Sequence, residues 1–152
     1  MSESKTEHYD EELALKLFIV MNRALEAIRK QATKDVKKYG LNLTEFAVLE
    51  LLFHKGPQPI QVIGKKVLLA SSSITYVIDK LADKGFIVRE ACPKDRRVIY
   101  VKLTEKGETH LEEIFPQHRQ AIAQIFANLS TEEKQSAINL IKSIGIHAES
   151  LN

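Results

Sequence analysis

The stretch VIDKLADKGFIVREACPKDRRVIYVKLTEKG, residues 77–107, decides the fold class of this chain. Its apolar residues recur at helical spacing up to Gly85, and two runs rich in β-branched and aromatic residues follow, FIVREA and VIYVKL. The segment between these runs contains Pro93 and Asp95, which are typical of turns, so the runs predict a β-hairpin. Thr104 then offers an N-cap for another helix. The stretch therefore predicts a helix, a hairpin and a helix in that order.

Three further helices are predicted on the N-terminal side. Apolar residues at three-and-four spacing predict a long amphipathic helix over residues 10–38, and Gly40 is expected to stop it. Thr44 is expected to cap a second helix that ends near His54, before the residues KGPQP. A short third helix is predicted over residues 60–67.

The fourth helix has two faces of different chemistry. Ser71 is expected to cap it and Gly85 to stop it. Its apolar stripe comprises Ile74, Val77, Ile78 and Leu81. Its opposite face carries mostly short hydrogen-bonding side chains, namely Ser72, Ser73, Thr75, Tyr76, Asp79 and Lys80. Burial of the stripe would turn the polar face outward.

Two helices are predicted on the C-terminal side. The helix capped by Thr104 is expected to reach about residue 127, with a kink at Pro116. A capping box of Ser130 and Glu133 predicts the start of the last helix.

This order of elements predicts a mainly α fold with a small β-hairpin wing. Residues 42–103 form the predicted winged helix-turn-helix, and the long helices at 10–38 and 104–149 flank it within one domain, 1–152. These flanking helices carry more apolar stripe than a monomer is expected to expose, so we predict that they dimerise.

The composition excludes several protein classes. With 152 residues, 44% apolar and 28% charged, the chain fits one helix-rich globular domain. Its single cysteine cannot close an intramolecular disulfide, and the start MSESKTEHYDEE lacks the layout of a secretion signal. No apolar run approaches the roughly 18 residues that span a bilayer. We therefore expect a cytoplasmic protein that does not enter a membrane.

The charge of the chain is unevenly distributed. Net charge is only +2, but residues 54–106 contain eleven Lys and Arg against five Asp and Glu. This asymmetry predicts a segment that binds a polyanion. The polar face of the fourth helix suits hydrogen bonding to base edges in the DNA major groove, and its N-terminus at Ser71 favours a phosphate. The hairpin tip suits the adjacent minor groove through Lys94, Asp95, Arg96 and Arg97.

Residues 41–107, LNLTEFAVLELLFHKGPQPIQVIGKKVLLASSSITYVIDKLADKGFIVREACPKDRRVIYVKLTEKG, resemble the MarR family of bacterial transcriptional regulators. The most specific element is DRRVIYVKLTEKG, which contains the D-x-R motif of the family wing and lies at the expected distance after VIDKLADKGFI. Residues 44–81 are most similar to the branch of the family that responds to quinones and related phenolic electrophiles.

The resemblance implies a homodimer on a double-stranded operator, with two recognition helices in successive major grooves and release when a small aromatic molecule binds. Asp95 matches the wing acid that orients an arginine, and Arg97 matches the arginine that enters the minor groove. Arg96 is expected to contact phosphate. The base-facing candidates are Ser73, Thr75 and Tyr76.

Two further sites are hypotheses at this stage. An aromatic ligand cavity would be lined by Phe18, Asn22, Phe53, His54 and Phe115, although core packing explains the same positions. Cys92 stands beside the charged turn as a candidate redox-sensing thiol or as an ordinary strand-end residue. The peroxide-sensing branch of the family has its cysteine near the start of the first long helix, where this chain has none.

Enzymatic function is not expected. The sequence contains no G-x-S-x-G, P-loop, G-x-G-x-x-G or H-E-x-x-H motif, so neither catalysis nor a cofactor is predicted. The five histidines do not have metal-ligand spacing, and no metal is expected. A winged-helix module that contacts only proteins remains an alternative, and the salt dependence of DNA binding distinguishes it from a DNA reader.

Overall fold

The computed structural model describes residues 2–67 and 71–152, apart from the side chains of Ser71 and Ser72. The elements in chain order are α1 (Ser2–Lys37), α2 (Leu43–Lys55), β1 (Gln58–Pro59), α3 (Ile60–Lys66), α4 (Ser71–Asp83), β2 (Ile87–Ala91), β3 (Ile99–Leu103), α5 (Glu105–Ile125) and α6 (Thr131–Ser150). The predicted mainly α fold with a hairpin wing is confirmed.

The wing belongs to a three-stranded antiparallel sheet in the order β1-β3-β2. Ile87 pairs with Leu103 and Ala91 with Ile99, so the predicted hairpin is confirmed. Strand β1 was not predicted, and it pairs Gln58 with Val101. Two residues carry no alternation pattern, so this strand is defined only by its partner in space.

The core lies where α2, α3, α4, α5 and the sheet meet. The predicted stripe of α4 is buried there, with Ile78 and Leu81 fully enclosed. Leu49 of α2, Val101 of β3 and Leu111 of α5 are equally inaccessible. Burying one such side chain stabilises the fold by about 1.5–3 kcal/mol. The apolar side of α4 therefore determines which side of that helix stays outside.

Two predicted helix starts need correction. Helix α1 begins at Ser2 instead of residue 10, because extending a formed helix through polar residues does not repeat the cost of nucleation. Asn42, not Thr44, caps α2, since Asn42 and Glu45 form a capping box with two reciprocal hydrogen bonds of 2.8 and 3.0 Å. The predicted cap at Ser71 stays a prediction, because the Ser71 side chain and residues 68–70 lie outside the described residues.

The other helix ends lie at or near the residues predicted from the sequence. Gly40 and Gly85 have φ of 76° and 80°, and they follow α1 and α4 as expected. Thr104 caps α5 by accepting a hydrogen bond from the Gly107 amide at 3.1 Å, and Ser130 with Glu133 forms the predicted box at α6. Helix α5 ends at Ile125 and contains Pro116, while the kink expected there stays a prediction.

Gly107 lets α5 approach the start of β2. A Cβ atom placed on Gly107 would lie 2.1 Å from the carbonyl oxygen of Phe86. The Thr104 amide donates to the same oxygen at 3.0 Å, so this close approach fixes where α5 leaves the wing. Any side chain here would push the helix and the strand apart.

The first and last helices are largely uncovered in the single chain. Residues 2–20 of α1 are all exposed, and no residue of α6 is buried. The exposed side chains include large apolar ones, for example Leu17, Phe18, Ile138 and Ile141. Large apolar side chains left exposed in this number are typical of an interface.

Candidate nucleic-acid interface

Helix α4 turns a polar face outward. Ser73, Tyr76 and Lys80 are exposed on it, and the Tyr76 side chain is 61% accessible. The Nζ atom of Lys80 lies 5.3 Å from the centroid of the Tyr76 ring, a cation–π contact that restrains both side chains. Thr75 is exposed on the same helix. These residues can present donors, acceptors and an aromatic edge to a groove about as wide as a helix.

The wing tip holds Arg97 through Asp95. The Arg97 Nε atom donates to Asp95 Oδ1 at 3.1 Å, and Nη2 donates to Oδ2 at 3.3 Å. The backbone amide of Arg97 also donates to Oδ1, at 3.1 Å. These hydrogen bonds from Arg97 hold the pKa of Asp95 below its usual range.

The pairing orients the arginine without enclosing it. The Arg97 side chain is 91% exposed, and its neighbours Lys94 and Arg96 are exposed as well. A guanidinium held by a carboxylate loses less conformational freedom when it enters a groove than a free one would. The Asp95–Arg97 contact implied by the family resemblance is therefore present, while its role on DNA stays a prediction.

An ion pair that sequence reasoning missed connects the wing to α4. Arg89 of β2 donates from Nη2 to Oδ1 of Asp79, which lies on the polar face of α4. The two residues are ten positions apart and belong to different elements, so no spacing rule for one helix or one strand relates them. The signal available was that each is an exposed charge on one of the two predicted DNA-contacting elements.

The predicted DNA-contacting residues lie on these two connected elements. Ser73, Thr75, Tyr76 and Lys80 are on α4, and the exposed wing turn carries Lys94 to Arg97. The side chains of Ser71 and Ser72 fall outside the described residues, so their predicted contacts remain predictions.

The structure joins three of the five residues predicted to line a ligand cavity. The ring centroids of Phe53 and His54 are 5.3 Å apart, and each lies within 6.0 Å of the Phe115 centroid on α5. Phe18 is 69% exposed on α1, and its carbonyl accepts a hydrogen bond from the exposed Asn22 side chain. The single chain thus contains an aromatic cluster between α2 and α5, while Phe18 and Asn22 lie on its surface.

Beside this cluster lies a buried set of polar side chains that the sequence did not predict. We call it the joint, and it comprises Asp35, Tyr39 and His118. The Asp35 carboxylate on α1 accepts from the Tyr39 hydroxyl at 2.6 Å and from Nδ1 of His118 on α5 at 2.8 Å. Burial, together with the hydrogen bond to Asp35, raises the pKa of Tyr39 well above its usual range. The apolar spacing of α1 gave no sign that its last turn buries a carboxylate.

The candidate redox thiol, Cys92, lies in the wing next to the charged turn. Cys92 is half-buried at the start of the wing turn, and its backbone amide donates to the Val98 carbonyl at 2.9 Å. Among residues 2–67 and 71–152, no three histidine, cysteine or acidic side chains are arranged to hold a metal ion. Within the same residues, no helix has the length and apolar character to cross a bilayer.

An exposed polar helix joined to a cationic hairpin, on a body of packed helices, is the architecture of winged helix-turn-helix regulators. The MarR family model matches residues 41–99. The chain is 51% identical to the HTH-type transcriptional regulator MhqR of Bacillus subtilis, over 91% of this chain and 95% of that protein. It therefore belongs to the MarR family of transcriptional regulators, and the expectation of a non-enzymatic protein agrees with this.

Solved structures of other family members share the fold. AbsC of Streptomyces coelicolor superposes with a TM-score of 0.82 at 19% identity, covering 90% of this chain and 94% of AbsC. A variant of Escherichia coli MarR in complex with operator DNA gives a TM-score of 0.79 at 20% identity, covering 86% and 94% of the two chains.

Proposed function

We propose that the protein is a homodimeric transcriptional repressor that binds a pseudo-palindromic operator. The observation that carries this proposal is the Asp79–Arg89 ion pair, which joins the polar face of α4 to the wing. Two elements held together in this way can contact one half-site as a unit, with α4 in the major groove and the wing beside it.

The exposed residues divide into two roles in this proposal. On α4, Ser73, Thr75 and Tyr76 contact base edges and so determine sequence preference. On the wing, Arg97 enters the minor groove in the orientation set by Asp95. Phosphate contacts come from Lys80, Lys94 and Arg96, and from the N-terminal turn of α4 at Ser71 and Ser72.

The uncovered apolar faces of α1 and α6 support the dimer. They include Leu17 and Phe18 near one end of the chain and Ile138 and Ile141 near the other. Covering them with a second copy would remove this apolar area from water and place two copies of α4 about a symmetry axis. The half-sites would then lie about 34–36 Å apart, one turn of B-form DNA.

Release from the operator is proposed to follow binding of a small phenolic or quinone-like molecule. The aromatic cluster of Phe53, His54 and Phe115 lies between α2 and α5, where a planar apolar ligand could stack. Phe18 and Asn22 would complete the cavity only in the dimer, because they are exposed in the single chain. A ligand that favours a dimer geometry unsuited to the operator spacing would oppose DNA binding reciprocally.

The decisive experiment is selection of duplexes from a random library, followed by binding at several salt concentrations. We expect enrichment of a sequence with two inverted half-sites, and an affinity that falls steeply with salt because phosphate contacts release counterions. Sedimentation should show a dimer at micromolar concentration. A monomer of 17.2 kDa that enriches no duplex would refute the proposal and favour a module that contacts proteins. In transcription assays, occupancy of the selected site should reduce initiation.

A further inference from the structure

The last turn of α1 is attached to α5 by a hydrogen bond between Asp35 and His118, and Tyr39, four residues after Asp35 in the chain, bonds to the same carboxylate. Asp35 is only 4% exposed, and each of its carboxylate oxygens has a described donor, Tyr39 on one side and His118 on the other. Hydrogen bonds of 2.6 and 2.8 Å require a defined angle as well as a distance, whereas apolar contacts do not. The joint therefore specifies how α1 leaves the body.

His118 extends this attachment from α1 to α2. Its ring centroid lies 4.2 Å from that of Phe46, a buried residue of α2, and 6.1 Å from that of Phe115. One imidazole thus contacts α1 through its Nδ1 atom and α2 through a tilted ring contact with Phe46. A side chain held from both directions cannot adjust to a new angle of α1 without losing one of these contacts.

A second histidine of α5 contacts Tyr39, in the turn that follows α1. His110 Nε2 lies 3.2 Å from the Tyr39 carbonyl oxygen and donates to it when that nitrogen is protonated. The ring of His110 stacks on Phe86 with an interplanar angle of 6° and a centroid distance of 4.8 Å. Because the Phe86 amide bonds to the Leu81 carbonyl at the end of α4, this contact connects α1 to the recognition helix.

The long N-terminal part of α1 amplifies any change of angle at the joint into a displacement of its far end. Its buried residues are Ala32, Asp35 and Val36, all near the C-terminal end. The preceding 30 or so residues span about 45 Å, so a change of about 5° at the joint moves the far end by about 4 Å. That is close to the rise of one base pair, about 3.4 Å.

We propose that Asp35, held by His118 and Tyr39, is a positioning residue that sets the angle of α1 and thereby the half-site spacing the dimer accepts. This inference rests on the proposed function, because it needs a dimer formed through α1. Asp35 touches no DNA in this proposal. It acts through the angle between the dimerising helix and the body that carries α4.

The experiment compares spacing preference among three variants. Asp35→Asn removes the charge at the joint, and His118→Gln is milder because a glutamine amide can still donate to Asp35. The matched control is Glu45→Gln. Glu45 is also a carboxylate that is 4% exposed, bonded to Lys84 at 2.7 Å and to the Asn42 amide, but it lies within the winged helix body.

Each protein is tested on the duplex enriched by the wild type and on versions with one base pair inserted or removed between the half-sites. We expect the wild type to disfavour the altered spacings by about tenfold, and Asp35→Asn to reduce this ratio to about twofold or to reverse it. Glu45→Gln should retain the wild-type ratio even if its affinity falls on every duplex.

The spacing ratio separates positioning from a general loss of stability. An unchanged ratio in folded Asp35→Asn, or an equal change in Glu45→Gln, would overturn the inference. Thermal unfolding followed by circular dichroism shows which variants are folded. If Asp35→Asn is unfolded, the spacing ratio of His118→Gln tests the inference in its place. A wild type that enriches no duplex with two half-sites would instead refute the proposed function.

Discussion

Arg89 on β2 and Asp79 on α4 form an ion pair between the wing and the exposed face of α4. The side chains of Arg89 and Asp79 are 36% and 57% accessible to solvent, so the pair is expected to add little to the free energy of folding. Its consequence is geometric, because it restrains the wing relative to α4 before DNA is bound. Restraint of this kind lowers the entropic cost of binding.

Breaking this pair should weaken DNA binding, although removing a negative charge near phosphates would by itself strengthen it. We expect Asp79→Asn to reduce operator affinity about three- to tenfold, with little change in the unfolding midpoint. The matched control is Glu90→Gln, which removes the same charge from the Lys102–Glu90 pair within the hairpin. Equal affinities of the two variants, measured by fluorescence anisotropy, would show that the wing is not positioned through Asp79.

Truncating the wing-tip arginine should impair binding without unfolding the protein. We expect Arg97→Ala to weaken operator binding about tenfold or more, because it would remove both the proposed minor-groove contact and a charge near phosphate. Lys94→Ala should lower affinity similarly for every sequence and reduce the salt slope by about one unit. Titrations at several salt concentrations distinguish the two variants. An Arg97→Ala protein with wild-type affinity would contradict the assigned role of the wing.

The ionisation of Asp95 should depend on Arg97. Because hydrogen bonds from Arg97 lower the pKa of Asp95 in the folded protein, the stabilising contact is complete above the unfolded pKa of aspartate and is lost as pH falls through the lower folded value. An NMR titration of the Asp95 carboxyl should move its midpoint upward in Arg97→Ala. Arg96→Ala removes a positive charge from the adjacent residue and should shift the titration midpoint of Asp95 less. Equal shifts of the Asp95 midpoint in the two variants would indicate that the positive charges of the wing act together, and not that Arg97 forms a specific pair with Asp95.

Gly107 should tolerate no side chain. In Gly107→Ala the new methyl group would meet the Phe86 carbonyl oxygen at 2.1 Å, so we expect a loss of about 2–4 kcal/mol in the free energy of unfolding. Gly145→Ala on α6 is the matched control, because among the described residues a methyl there meets no heavy atom within 4 Å beyond its chain neighbours and the nearby backbone of its own helix, and alanine favours a helix. Urea unfolding measures both changes. A Gly107→Ala protein as stable as the wild type would refute the close approach of α5 to β2.

Replacing the single thiol should separate two ways of sensing. If the inducer binds noncovalently beside Phe53 and Phe115, Cys92→Ser should release DNA at the same phenol or quinone concentration as the wild type. Phe115→Leu should then require a higher concentration, because it removes one aromatic face. Complete loss of the response in Cys92→Ser, measured by gel shift, would show that the thiol is the sensor.

Local signals in the sequence were sufficient for much of the fold. The caps at Thr104 and Ser130 and the stops at Gly40 and Gly85 depend on residues within four positions of each other, and all were predicted. The start of α2 was placed wrongly because Asn42 and Thr44 are both good caps, and the reciprocal bond from Glu45 decides between them. Competition between two local signals was resolved by the number of hydrogen bonds each can form.

The amino-acid sequence alone determined the order of helices and hairpin, the apolar stripe of α4 and the residues of its exposed face, because periodicity and capping act over short distances along the chain. Only the tertiary structure decided that β1 joins the sheet, that Arg89 meets Asp79, and that Asp35 meets His118 across 83 positions. Such contacts depend on how separate elements pack, and no local pattern encodes which two charged side chains that packing will bring together.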